Sequence, residues 1–354
     1  MRKLQQIAKA AAAAGALSLS ILAPAAGAAP LREQDDIVTV AGVEIACRIT
    51  FPSGPARGAV LLLPGSLFSD VDGNYPSMQL KPHLYADLAA QLGERGFAVL
   101  RMAKIGPGTG SRTVDAQAAA RHADFTTRTE AAAAGLALLH KAAPARPLIV
   151  AGHSEGALVA SLLASGADAT AIDGVVMLSG PALPILSLLR DQVAAMAPPG
   201  ASPDMTMFDR AIAAIRAGQP LPAGAQADPQ TAMLAAMPAF SLAYLRSTDR
   251  FDPVAELGRV RQPVLILQGG RDGSVPPAHA ARLQEGRHNL PTELARFPEL
   301  NHFYKVTPPD MPPMQSMALD TTSDPAVAER IVRWAPGKSA TLLAPPQAQH
   351  GQHE

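Results

Sequence analysis

Short apolar runs alternate with stretches of helical spacing along most of this chain. The runs at 58–63, 97–101, 147–151, 174–179 and 263–268 are dominated by Val, Ile, Leu and Ala and show almost no polar face. That is the pattern of strands covered on both sides, and 293–297 predicts a last one. Between them, 85–95 sets Leu84, Leu88, Ala89 and Leu92 on one side and stops at Gly96, as an amphipathic helix does. A helix rich in Ala and Leu is predicted over 127–141, and another over 325–334, opened by Pro325 behind a Ser323 or Asp324 cap. Residues 36–51 predict a hairpin turning at Ala41-Gly42. Strands alternating with helices give an α/β fold with a mainly parallel, doubly wound sheet. Ligands on such sheets bind beyond the C-terminal strand ends.

Two regions depart from the alternation. Residues 182–250 are apolar helical pieces separated by Pro-rich turns, and 233–245 is too apolar to stay solvated. They predict an inserted helical cap within a single α/β domain spanning 29–335. Residues 336–354 are polar and rich in Pro and Gln, a composition that predicts a disordered tail. At the other end, Arg2, Lys3 and Lys9 precede an alanine-rich apolar stretch and an Ala26-Gly27-Ala28 cleavage pattern. This predicts a signal peptide over 1–28 and a periplasmic or secreted product with no remaining membrane span.

Composition agrees with a sizeable core: 48% hydrophobic and 17% charged residues. Formal net charge is zero, and loss of residues 1–28 would remove three cations and no acid, leaving −3. With no basic run, a nucleic-acid partner is excluded. Cys47, the single cysteine, has no partner for an internal disulfide and reads as a buried strand residue.

The candidate chemistry lies just after the strands. Gly152-His153-Ser154-Glu155-Gly156 follows 147–151 and precedes a helix-like stretch. A serine at a tight strand-to-helix turn has its hydroxyl pushed into the open, with glycines letting the flanking elements approach. Serine alone is a weak nucleophile and needs a base and an acid to orient it. Asp272 lies in the Gly-rich loop after 263–268, and His302 in the loop after 293–297. His153 cannot swing onto its own neighbour, His279 begins a helix, His350 and His353 fall in the tail, and Asp252 precedes its strand. Ser154, Asp272 and His302 are therefore the expected triad. Backbone N–H donors for an oxyanion are expected from Glu155 and from Ser66, with Leu67 as second choice, in the loop after 58–63. The Glu155 side chain reads most simply as a helix-start carboxylate. No cofactor or metal is called for: Asp70-Val71-Asp72-Gly73-Asn74 lacks the spacing of a calcium loop and reads as a structural turn.

The order Ser, Asp, His and these loop positions resemble the α/β-hydrolase superfamily over roughly residues 36–335. More closely, the chain is similar to bacterial exported esterases and serine-aminopeptidase-like hydrolases. Their G-S-G-P-x-D-R-D-G-N loop corresponds to Gly65-Ser66-Leu67-Phe68-Ser69-Asp70-Val71-Asp72-Gly73-Asn74, without the second glycine and the proline. Their L-R-x-D-x-R-G-x-G-x-S segment corresponds to the stretch from Leu100 to Ser111, with Ala103 and Ile105 in place of Asp and Arg. The resemblance implies hydrolysis of a small-molecule ester through an acyl-enzyme. A thioesterase or an aminopeptidase on the same triad, and a non-catalytic binding protein on the same fold, are the alternatives. An aminopeptidase would need a cap carboxylate for the substrate ammonium, and Asp191, Asp204, Asp209, Asp228 and Asp249 are candidates. Met196, Met205, Met207, Met233, Met237, Met311, Met314 and Met317 suit either an apolar or aromatic acyl pocket or plain core filling.

Overall fold

The computed structural model describes residues 30–106, 110–197, 200 and 202–336. The expected signal peptide and all but the first residue of the expected tail lie outside them. From Leu31 onward the described residues form one compact unit.

Its centre is a nine-stranded sheet. The strands are β1 (Arg32–Val40), β2 (Val43–Phe51), β3 (Ala59–Leu63), β4 (Ala98–Met102), β5 (Ser111–Thr113), β6 (Leu148–His153), β7 (Gly174–Leu178), β8 (Val264–Gly269) and β9 (Thr292–Phe297). They lie in the order β1-β2-β4-β3-β6-β7-β8-β9, with β5 paired to β2. The hairpin β1–β2 and the β2–β4 and β2–β5 pairs are antiparallel, and every pair from β4 to β9 is parallel. The central strands β3, β4, β6, β7 and β8 are buried along their whole length, which is why their sequences carry no polar face.

Each sheet face has its own core. Leu61, Leu63, Leu100 and Val150 pack with Leu136, Leu139, Leu158 and Leu163 from helices Thr126–Ala142 and Glu155–Ser165. Val60, Leu62, Val99 and Ile149 on the opposite face meet Leu88 and Leu92 of helix Leu84–Glu94 and Val327 and Ile331 of helix Pro325–Trp334. Asp324 caps that last helix, its carboxylate accepting the Ala326 N–H at 2.8 Å. Cys47 is buried on β2, and desolvation pushes its thiol up to about 12.

The chain runs from β3 out to β4 and returns to β6 on the other side of β3. The loops leaving β3 and β6 therefore diverge at a switch point, the crevice where such sheets hold ligands. Leu63 and Gly152 are paired there at the two strand ends.

Between β7 and β8 the chain leaves the sheet for helices Ile185–Ala195, Thr206–Ala217, Ala232–Ala235 and Ala239–Thr248. Leu186, Leu188, Phe208, Ile212, Ile215 and Leu234 give this segment a core of its own. Met205 is part of it and Met237 packs against it, while Met317 packs on a sheet core. Met196 and Met233 are exposed. The methionines are thus divided between core filling and surface, and the Met314 side chain lies outside the described residues. Among the described residues no helix is long and apolar enough to cross a membrane.

Candidate active site

Ser154 stands between β6 and helix Glu155–Ser165 with φ 53° and ψ −123°. A side chain in the positive-φ region is strained and persists only where its surroundings enforce it. Two close approaches enforce it here. A Cβ on Gly152 would lie 2.0 Å from the Gly156 carbonyl oxygen, and one on Gly156 would lie 2.5 Å from that of Leu63. The Ser154 N–H is held by the Leu178 carbonyl on β7 at 2.8 Å.

Asp272 and His302 come together in the loops beyond β8 and β9. His302 Nδ1 and Asp272 Oδ2 are 2.8 Å apart, and both side chains are buried. The other Asp272 oxygen accepts the N–H groups of Ser274 at 2.9 Å and Val275 at 2.8 Å. Burial alone would raise this carboxyl, but the charge and hydrogen bond of His302 and the Val275 N–H outweigh it and hold it below the usual carboxylate range. An ionised Asp272 fixes Nδ1 as the protonated nitrogen, which leaves Nε2 to act as a base.

His153 joins the Ser154 turn to the His302 loop. Its Nε2 lies 3.0 Å from the His302 carbonyl, which can only accept, so the proton is on Nε2. Its Nδ1 then accepts from the Tyr85 hydroxyl at 3.2 Å, and that hydroxyl accepts the Gly65 N–H at 3.0 Å. Burial, with the neighbouring His302 ring, pushes His153 down to about 3, so it is neutral at ordinary pH.

Ser66 follows Gly65 at the switch point, across from Ser154: a Cβ on Gly65 would lie 3.2 Å from the Ser154 Cβ. Among the described residues, no acceptor meets the N–H of Ser66, Leu67 or Glu155, while that of Gly65 is taken by Tyr85.

The Glu155 side chain corrects the expectation of a simple helix-start carboxylate. It is 4% exposed and its Oε1 accepts from Arg128 at 2.5 Å, Tyr244 at 2.7 Å and Lys104 at 3.1 Å. Burial would raise it, but Lys104, Arg128 and the Tyr244 hydroxyl bring it down to about 2. Lys104 is lowered to about 8, because burial, together with the like charge of Arg128, outweighs the pull of Glu155. These three partners were missed in the sequence. The available signal was an acid directly after the nucleophile, buried on a helix packed under the sheet and so in need of counter-ions. Nothing in the sequence says which cations answer it.

Asp70 closes its own turn, accepting the N–H groups of Asp72 and Asn74, each at 2.9 Å, while Asp72 pairs with Arg101 at 3.0 Å. Among the described residues no group of three or more His, Cys, Asp or Glu side chains is placed to hold a metal ion. His279 is also structural, its Nδ1 accepting the Ala182 N–H at 2.9 Å. Asp252 caps helix Pro253–Arg259.

A family model for serine aminopeptidases, S33, matches residues 81–304. The chain belongs to this family of α/β-hydrolases. No curated protein matches it. Among solved structures, a proline iminopeptidase-related protein from Thermus thermophilus is similar at TM-score 0.55 and 21% identity, over 86% of this chain and 99% of the other. An esterase from Pyrococcus furiosus matches at TM-score 0.52 and 16% identity, over 86% and 92%. Est1E from Butyrivibrio proteoclasticus, with ferulic acid bound, matches at TM-score 0.52 and 16% identity, over 84% and 98%. At these identities the likenesses establish the shared α/β-hydrolase fold of this S33 member.

Proposed function

We propose that this S33 family member is an exported serine hydrolase that cleaves carboxylic esters. The observation that carries the reading is the Asp272–His302 hydrogen bond of 2.8 Å, in the loops next to the strained Ser154 turn. In this reading Ser154 Oγ attacks the acyl carbonyl as His302 Nε2 takes its proton, and Asp272 stabilises the imidazolium. The N–H groups of Glu155 and Ser66 receive the oxyanion. His302 then protonates the leaving alcohol, and water repeats the sequence on the acyl-enzyme.

Esters are favoured over peptides with a free amino terminus because four of the five candidate cap carboxylates are already engaged, exposed Asp191 being the exception. Asp209 pairs with Arg190, Asp249 with Arg216, Asp204 accepts the Thr206 N–H and Asp228 accepts that of Thr231. Exposed Leu67 and Phe68 on the β3 loop and Phe240 on the cap favour an apolar or aromatic acyl group. The predicted leader over 1–28 is the ground for export to the periplasm or beyond.

A fluorophosphonate probe tests the reading. Wild type is expected to label at one serine and Ser154→Ala not at all; equal labelling of the two would sink the proposal. A panel of p-nitrophenyl esters, thioesters and aminoacyl amides then separates the substrate classes. Faster turnover of aminoacyl amides than of esters would replace esterase by aminopeptidase.

A further inference from the structure

The buried ionic cluster around Glu155 has a second set of contacts, and they point at the β3 loop. Arg128 Nη2 donates to the Pro64 carbonyl at 2.7 Å, and Lys104 Nζ donates to the Ser66 carbonyl. Sheet order explains the convergence: β3 lies between β4 and β6, so its loop is flanked by Lys104, beyond the end of β4, and Glu155, beyond the end of β6. Arg128 reaches the same point from helix Thr126–Ala142.

Resting on the serine-hydrolase reading, we propose that Lys104 and Arg128, tied together by Glu155, are positioning residues that set the Ser66 N–H for the oxyanion. In a trans peptide a carbonyl and the following N–H point in opposite directions. Arg128 on the Pro64 carbonyl thus turns the Gly65 N–H toward Tyr85 Oη, where it is found at 3.0 Å. Lys104 on the Ser66 carbonyl turns the Leu67 N–H away from the cluster. The peptide between these two clamped ones carries the Ser66 N–H. Its orientation is fixed from both sides while its donor is left without a protein acceptor among the described residues.

The cluster also supplies charge. Lys104, Arg128 and Glu155 are 4%, 6% and 4% exposed, so their fields are little screened by water. With Glu155 ionised between the two cations, one net positive charge remains behind the loop and favours negative charge developing in front of it. Among the described residues, those facing Lys104 include the Glu155 carboxylate, the Arg128 guanidinium and the Tyr244 ring, 5.1 Å from Nζ, with the Phe68 ring at 6.0 Å. Tyr244 comes from cap helix Ala239–Thr248 and donates to Glu155, so the cap is latched to the cluster that holds the loop.

The experiment uses the full mature chain and starts with fluorophosphonate labelling, which tests the serine-hydrolase reading by itself. On a chain that labels, Lys104→Met and Lys104→Arg are compared with wild type on p-nitrophenyl butyrate and on a trifluoromethyl ketone, which forms a tetrahedral oxyanion adduct. Lys104→Met is expected to lower kcat about 10- to 100-fold and to weaken the ketone in parallel, with KM within about twofold; a whole oxyanion donor is worth about 100- to 1,000-fold. Lys104→Arg should recover most of both. An unchanged kcat, a loss confined to KM, or an arginine variant as poor as the methionine one would overturn the proposal. Should Lys104→Met fail to fold, the pH profile of Lys104→Arg decides. Wild-type kcat is expected to fall above about pH 8 as Lys104 loses its proton, and this limb should be absent up to about pH 10 in the arginine variant, whose guanidinium stays charged. An unmoved limb refutes the role.

Discussion

At the scale of single residues, the chain separates a strained serine from a tightly hydrogen-bonded aspartate–histidine pair. Ser154 is kept at positive φ by backbone contacts around it, whereas Asp272 and His302 keep their geometry through hydrogen bonds. Removing the hydroxyl should leave the fold intact and abolish turnover. Ser154→Ala is expected to lose on the order of 10⁶ in kcat, measured on a p-nitrophenyl ester against the uncatalysed rate. Asp272→Asn should keep the contact to His302 but favour the wrong tautomer, with a fall of about 10⁴ in kcat. A loss under about tenfold in either variant would contradict the assigned roles. The Asp272–His302 pair was legible because each residue lies in a loop beyond an expected strand, and the Ser154 turn because it directly follows an apolar run. The environment of Glu155 could not. Its partners lie 27, 51 and 89 residues away, and periodicity says nothing about which cation reaches a buried carboxylate across such gaps.

The next scale is the element. The unbroken strands and the helices with one clean apolar face were legible nearly to their ends: the 325–334 expectation matches helix Pro325–Trp334, and 263–268 differs from Val264–Gly269 by one residue. Several short elements were not, among them a strand and a helix. Strand β5 is only Ser-Arg-Thr, half-buried to exposed, and it is a strand because its backbone pairs with β2 rather than because of any pattern of its own. Helix Pro253–Arg259 is seven residues long, too short to show a period. The strand–turn–helix unit at Ser154 depends instead on the absence of side chains. Gly152→Ala would set a methyl group 2.0 Å from a backbone oxygen that cannot retreat without moving the helix. Such overpacking costs about 1–3 kcal/mol where a core can adjust, and more where backbone blocks it. We expect a drop of many degrees in Tm together with loss of probe labelling. A fully labelled, equally stable alanine variant would show that the turn can relax.

On the scale of the whole molecule, one neutral histidine makes the stability of the fold depend on acid. His153 binds its proton near pH 3 when folded, against about 6.5 in the unfolded chain. Between these values the unfolded chain takes up more protons, so stability is lost as pH falls below about 6.5, by about 2 kcal/mol at pH 5. Denaturant unfolding at pH 7 and pH 5 measures it: His153→Gln should be less stable at pH 7 but should lose about 2 kcal/mol less than wild type on acidification. Equal acid sensitivity in the two would place the effect elsewhere.

The bond from His153 to the His302 carbonyl closes a loop of 149 residues. It has a consequence for the life of the chain before folding is complete. On the proposed reading, a growing or clipped polypeptide that ends anywhere short of 302 carries Ser154 without the group that would take its proton. The serine is then made early and armed late, by the loop after the last strand of the sheet. A chain still in transit would hold only one half of the proposed reaction.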